Sequence, residues 1–254
     1  MEKVLNPTVC FFDSGIGGLW LLYECVKRLP DVDFIYFSDN ANVPYGSLPH
    51  ERLVELTDSV FAEMAKLNPI AAVIACNTVT ARCIDYVRDK YSFEIIGIQP
   101  AVKPAVEAGG KCLVLSTPST AGSESLRNLI NKFGDGRTET VSLPDLAKYI
   151  ENNLESIDEE FIKSILPKVD CDSVVLGCTH YIYIKDIVKD FYNCPIFDGI
   201  EGTADNLVRK IGKNDHFVKR AQKITFEGGF FNKNRAIFKG LVSKFGLKYQ
   251  KNQC

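Results

Sequence analysis

Two short segments of this 254-residue chain match each other, and they limit its fold more than any other feature. Val73-Ile74-Ala75-Cys76-Asn77-Thr78 and Val175-Leu176-Gly177-Cys178-Thr179-His180 each read as a buried strand ending in a small residue, a thiol and hydrogen-bonding side chains. A helical pattern follows each one. The two cysteines lie 102 residues apart, under half the chain, so one α/β unit is used twice. A thiol at the C-terminal end of a parallel strand lies where open α/β sheets bind ligands. Two such units facing each other place one thiol on each side of a shared cleft. That is the geometry for moving a proton from one face of a carbon to the other.

The rest of the chain agrees with a duplicated α/β unit. Short β-branched or aromatic runs alternate with longer amphipathic stretches, the signature of parallel sheets covered by helices. Strands are expected at Val9–Phe12, Phe34–Phe37, Ala71–Ala75, Ile95–Ile98, Cys112–Ser116, Thr138–Ser142, Ser173–Leu176 and Pro195–Phe197, with a last pair at Ile224–Phe226 and Leu247–Tyr249. Helices are expected at Gly18–Leu29, His50–Leu67, Thr80–Lys90, Thr120–Phe133, Asp158–Leu166 and Ile182–Phe191. The seam falls near Ile98-Gln99-Pro100-Ala101. Residues 8–98 with 204–254 then form the first domain, and residues 99–203 the second.

Charge and cysteine usage narrow the function classes. No apolar run reaches the ~18 residues of a membrane span, and the first residues lack the basic and apolar regions of a signal peptide. Nine cysteines in a chain this long are too sparse for a disulfide scaffold. Reduced thiols in a cytoplasmic protein are the better reading. From Arg209 onward there are 12 Lys/Arg against 2 Asp/Glu, which raises the question of a nucleic-acid partner. Apolar residues near helical spacing from Ala236 onward give a simpler answer: a helix with a buried stripe and a lysine-rich solvated face. No nucleic acid or membrane partner is expected.

Four motifs are candidates for chemistry. Phe11-Phe12-Asp13-Ser14-Gly15-Ile16-Gly17-Gly18 is a strand, a polar corner and a glycine-rich helix entry. It fails the dinucleotide fingerprint on spacing, since Trp20 stands where the third glycine belongs. The corner reads instead as a pocket edge whose backbone N–H groups receive a small anion, with Asp13 and Ser14 as side-chain contacts. Asp39-Asn40-Ala41-Asn42-Val43-Pro44-Tyr45-Gly46 is a turn after the second strand that can line the same pocket. In Cys76-Asn77-Thr78 and Cys178-Thr179-His180, a helix N-terminus or a cationic histidine can lower a thiol from its ordinary ~8.5. Hydroxyls in Ser116-Thr117-Pro118-Ser119-Thr120-Ala121-Gly122-Ser123 stand where the first unit has its acid, or Ser119 or Thr120 simply caps the next helix. Cys10, Cys25, Cys83, Cys112, Cys171, Cys194 and Cys254 read as inert; His50 reads as a helix-start surface residue and His216 as part of a charged turn, and neither is given a role. No metal site is expected, since no paired Cys or His spacing supports four ligands.

Taken together, FFDSGIGG, DNANVPYG, ACNT, GIQPAVKPA, STPSTAGS and LGCTH resemble the glutamate racemase family, in that family's order and spacing from about residue 9 to 204. The resemblance implies two similar doubly wound, flavodoxin-like parallel-sheet α/β domains with pseudo-twofold symmetry and an active site in the cleft between them. It implies a cofactor-independent amino-acid racemase, an isomerase that interconverts L- and D-glutamate for peptidoglycan and so for cell wall biogenesis and cell shape. Carried over by motif, Cys76 and Cys178 are the two acid/base residues, with Asp13 and His180 assisting. Ser14, Tyr45, Gly46, Asn77, Thr78, Thr120 and Thr179 hold the substrate. A cytoplasmic homodimer is expected. Leu126, Gln99, Trp20 and Asp198-Gly199-Ile200 depart from the family pattern without touching either cysteine motif. Related aspartate racemases generally lack the histidine of the second motif.

Two rival readings are testable. One is a racemase for aspartate or another dicarboxylate. The other is a two-lobed amino-acid binding protein whose basic tail contacts nucleic acid, which predicts no turnover and a salt-dependent affinity for DNA.

Overall fold

The apolar runs Val9–Phe12, Ala71–Ile74, Cys112–Ser116 and Ser173–Gly177 become parallel strands buried on both faces. A computed structural model of the chain describes residues 7–134, 136–212 and 221–245. Its first half runs β1 (Thr8–Asp13), α1 (Leu19–Arg28), β2 (Asp33–Ser38), α2 (His50–Ala65), β3 (Ala71–Ile74), α3 (Asn77–Lys90) and β4 (Glu94–Gly97). The second half runs α4 (Val102–Glu107), β5 (Cys112–Ser116), α5 (Pro118–Ala121), α6 (Glu124–Phe133), β6 (Thr138–Ser142), α7 (Leu146–Asn153), α8 (Glu159–Ile165), β7 (Ser173–Gly177), α9 (Lys185–Tyr192) and β8 (Ile196–Asp198). The chain then continues through α10 (Ile200–Ile211), β9 (Ile224–Gly228) and α11 (Phe231–Phe245).

One sheet has the order β4-β3-β1-β2-β9 and the other β6-β5-β7-β8, with every pairing parallel. Read from its far edge, β8-β7-β5-β6 repeats β4-β3-β1-β2. The duplication is thus topological: β1 corresponds to β5 and β3 to β7. Each sheet reverses its winding beside its first strand, between β1 and β3 and between β5 and β7. Such a switch point leaves a crevice outside the carboxyl ends of the strands. Asp13 and Cys76 end one such pair of strands, and Ser116 and Cys178 the other.

Side chains alternate between two helix layers, as a pleated strand requires. Val9, Phe11, Ala71 and Val73 meet α1, α10 and α11, while Cys10, Phe12, Ala72 and Ile74 meet α2 and α3. In the second sheet Leu113, Leu115, Val174 and Leu176 face α7, α8 and α9, while Cys112, Val114 and Val175 face α4 and α6. Phe11, Phe12, Phe34 and Phe61 are all fully buried. Each such side chain contributes about 1.5–3 kcal/mol by leaving water.

Several boundaries differ from the sequence expectation for local reasons. The expected helix Thr120–Phe133 is two helices, because Gly122-Ser123 interrupts it and Ser123 Oγ caps α6 by accepting from Leu126 N at 3.1 Å. The cap of the short α5 is Thr117, not Ser119 or Thr120. The segment expected to be helical from Ile182 begins as a 3-10 helix, Thr179–Ile184, before α9. Helix α3 starts at Asn77 rather than Thr80, which makes Cys76 its N-cap. The short helices α4 and α7, and also α10, lie outside the helices expected from sequence. In the basic region α11 buries Asn234, Phe238 and Leu241 and leaves Lys239 and Lys244 exposed. The strand expected at Leu247–Tyr249, and His216 and Cys254, lie outside the described residues. No helix among the described residues is long and apolar enough to cross a membrane.

Candidate active site

Everything that turns the two strand ends into a site follows from how each loop satisfies its own polar groups. Asp13 closes β1 and is fully buried. Its Oδ2 accepts from Gly18 N at 2.9 Å, Gly15 N at 3.3 Å and the Tyr36 hydroxyl at 3.3 Å. Ile16 N donates to Glu151 Oε2 at 2.9 Å. The expectation that this corner's N–H groups receive a ligand anion is corrected for Gly15, Ile16 and Gly18, which already serve the chain's own carboxylates. A buried N–H must find an acceptor, and these two acids are the nearest.

Cys76 and Cys178 are both buried and line one cavity. Cys76, at the N-terminus of the fourteen-residue α3, takes a hydrogen bond from Val79 N–H, and its Sγ lies 3.9 Å from Ser14 Oγ. Burial nevertheless pushes the Cys76 thiol well up, and the Asp13 charge adds to that. Cys178 precedes the 3-10 helix and is hydrogen-bonded to His180. Burial works against a charged His180, but its bonds to Cys178 and Glu151 outweigh that and push it up to about 10. One thiol therefore faces a carboxylate and the other a cation.

Glu151 on α7 went unnoticed in the sequence, although it falls on the buried stripe Leu146, Ala147, Ile150. An acid on the apolar face of an amphipathic segment was the available signal. Its Oε2 accepts from His180 Nε2 at 2.8 Å, and its Oε1 from Asn40 Nδ2 at 2.7 Å. Burial raises this acid, but the hydrogen bond and charge of His180 hold it down at about 2, with help from Ile16 N–H and Lys233. Asp13 stays raised by burial despite the same histidine.

A hydroxyl triangle joins the two halves. Thr78 Oγ1 lies 3.1 Å from Thr117 Oγ1 and 3.3 Å from Thr120 Oγ1, and the latter two are 3.1 Å apart. The Tyr45 hydroxyl donates to Asp39 Oδ2 at 2.7 Å, which fixes the turn carrying Tyr45 and Gly46. Two glycines allow the halves to touch: a Cβ on Gly46 would lie 2.6 Å from Thr117 Cβ, and one on Gly17 2.5 Å from Thr179 Oγ1.

Of the residues expected at the site, Ser14, Tyr45, Gly46, Cys76, Asn77, Thr78, Cys178, Thr179 and His180 line this cavity together with Thr117. Asp13 and Thr120 stand behind it, fully buried. Thr117, Glu151, Asn40 and Lys233 are the additions. Only about 10 Å³ remains between the halves, room for about one water. Larger clefts of about 750 and 830 Å³ lie elsewhere, around Tyr149–Phe161 and around Arg82–Lys132. Neither is lined by Cys76 or Cys178, so size does not identify the site. Lys103, the lysine nearest the seam, sits on the surface of α4 with its Nζ 3.7 Å from Glu107 Oε1.

Comparison with known proteins shows the family. Residues 24–207 match the family model described as Asp/Glu/Hydantoin racemase. A glutamate racemase of Clostridium novyi is 42% identical over 223 residues, covering 83% of this chain and 86% of the relative. The structure superposes on Escherichia coli glutamate racemase in complex with L-glutamate and the activator UDP-MurNAc-ala, with a TM-score of 0.80 and 26% identity, covering 96% of this chain and 97% of that one. Francisella tularensis glutamate racemase in complex with D-glutamate gives a TM-score of 0.77 at 25% identity, over 92% and 93% of the two chains. With two matched strand-end thiols facing one cleft, and with this identity over most of its length, the chain belongs to the glutamate racemases of the Asp/Glu/Hydantoin racemase family.

Proposed function

We propose that this chain interconverts L- and D-glutamate by a two-base mechanism, supplying D-glutamate for peptidoglycan. The observation that carries this reading is the pair Cys76 and Cys178, at equivalent strand ends on opposite sides of one cavity. One thiolate removes the α-proton while the opposite thiol delivers its own proton to the other face. The carbanion between these events needs a water-excluding site with fixed dipoles. Asp13 keeps a proton on Cys76, and the His180 cation is held against the Cys178 sulfur. That arrangement suits L-glutamate, with Cys178 taking its α-proton and Cys76 returning one. D-glutamate uses the reverse sequence: Asp13 receives the Cys76 proton, and His180 gives its proton to the Cys178 sulfur, so that Cys76 abstracts and Cys178 delivers.

Ser14, Asn77, Thr78, Thr120, Thr179 and the Tyr45–Gly46 turn hold the substrate carboxylates and ammonium, joined by Thr117. The small remaining volume requires the halves to part for substrate and to close for chemistry. Residues 8–98 with 204–254, and residues 99–203, are read as the two moving domains. Assembly as a homodimer and a cytoplasmic location are read with the family; sedimentation and cell fractionation test them.

The deciding experiment is L-glutamate in D2O, following optical activity and α-deuteration together. Early product should carry deuterium while recovered substrate stays protonated. Deuterium entering unreacted substrate as fast as product would indicate a single base. Aspartate turned over as fast as glutamate would move the assignment to the other dicarboxylate.

A further inference from the structure

The C-terminal helix reaches the catalytic histidine through one lysine. Lys233, in the first turn of α11, donates from Nζ to the Glu151 main-chain oxygen at 2.6 Å and lies 3.4 Å from Glu151 Oε1. Its neighbour Asn234 donates to Asn40 Oδ1 at 3.2 Å, and Asn40 donates to the same Glu151 oxygen at 2.7 Å. The other oxygen, Oε2, holds His180. Ile16, Asn40 and Lys233 lie on elements of the first sheet's half, while Glu151 and His180 belong to the second. Glu151 is thus the point at which three donors from one half meet the group that orients His180 from the other. The carbonyl that Lys233 takes lies in the last turn of α7, where main-chain oxygens lack helical partners.

We propose that Lys233 is a positioning residue, a latch from α11 that fixes Glu151, and through it His180 against Cys178, when the cleft is closed. The inference rests on the two-base reading above. Ile16, Asn40 and His180 share Glu151 with Lys233, and the lysine side chain is 39% exposed. Its hydrogen bond to a charged group is therefore discounted for solvent, and its loss should lower kcat/KM by about tenfold.

Because the two enantiomers are equally stable, kcat/KM must fall equally in both directions. The isotope effects separate the sides. If the latch serves the Cys178 side, losing it raises the barrier for proton transfer at Cys178 alone. Abstraction from L-glutamate then becomes more fully rate-limiting, and abstraction from D-glutamate less so. The kcat/KM isotope effect for α-deuterated L-glutamate should rise in Lys233→Met while that for α-deuterated D-glutamate falls. A loss of active enzyme by general destabilisation would move neither.

The experiment measures both isotope effects and kcat/KM for wild type, Lys233→Met, Lys233→Arg and, as a control on the same helix, the exposed Lys239→Met. Lys233→Arg keeps charge and donors and should stay within about twofold of wild type, as should Lys239→Met. An unchanged Lys233→Met, a fall with unchanged isotope effects, or an equal fall in Lys233→Arg or Lys239→Met overturns the latch. A wild type that deuterates unreacted substrate overturns the two-base reading instead, so the two failures are distinct.

Discussion

Cys76 and Cys178 occupy the same point of a repeated unit, yet their surroundings differ in sign. Cys76 caps a regular α-helix and faces the buried Asp13, so its proton is held. Cys178 opens onto a 3-10 helix and faces His180, itself charged through Glu151. Duplication explains why the thiols oppose each other. Divergence of the flanking residues explains why they are unequal, and a proton can cross a carbon only between unequal partners.

The largest test breaks the comparison outright. Cys76→Ser or Cys178→Ser should cost racemisation about a thousandfold or more, because a hydroxyl is far too weakly acidic to replace a thiolate. Circular dichroism should be unchanged in both. The equally buried Cys83→Ser should remain near wild type, since Cys83 packs between α2, α3 and the first sheet, away from the cavity. Activity surviving in either catalytic variant would remove that thiol from the mechanism.

Glu151→Gln sharpens the Cys178 side. The carboxylate supports the His180 cation at about 10, so its removal lets His180 lose its proton at lower pH. We expect kcat/KM to drop about ten- to a hundredfold, the scale of a hydrogen bond between charged groups. Its alkaline limb should move to lower pH. An unmoved limb would mean that the imidazolium is not used.

Closure is tested by Gly46→Ala, whose added methyl would meet Thr117 in the other half. Overpacking of about 1–3 kcal/mol would fall on the closed state. A decline of about tenfold in kcat/KM with little change in melting temperature is expected. An equal effect on melting would place the contact in stability rather than in closure.

The smallest effect concerns stability against pH. His180 is raised in the folded chain from its ordinary 6.5 to about 10, so its stabilisation is complete below 6.5 and is lost as pH rises through about 10. Glu151 is lowered from 4.5 to about 2, so its contribution is complete above 4.5 and is lost as pH falls through about 2. Melting temperature should therefore be highest near pH 4.5–6.5 as far as this pair decides it. In His180→Asn the alkaline decline should flatten; the same slope in both proteins would exclude His180 as its source.

Much of this architecture could be read before any coordinates, because its evidence is contiguous. Parallel strands buried on two faces are unbroken apolar runs, and Ala71–Ile74 and Ser173–Gly177 end directly at the motifs that carry the thiols. The alternation of such runs with amphipathic stretches gives a doubly wound sheet, and the offset of the motifs gives its duplication. Asp13, Cys76, Cys178 and His180 were visible for the same reason. Tertiary structure decided what depends on convergence. Glu151 meets Ile16, Asn40 and Lys233 across 135, 111 and 82 positions of sequence, and no local pattern encodes such a meeting. It also decided that Gly15, Ile16 and Gly18 of the glycine-rich corner spend their N–H groups on the chain's own acids. Periodicity reports which face of a segment is buried; only packing sets which buried charge lies against which, and that fixes where the protons reside.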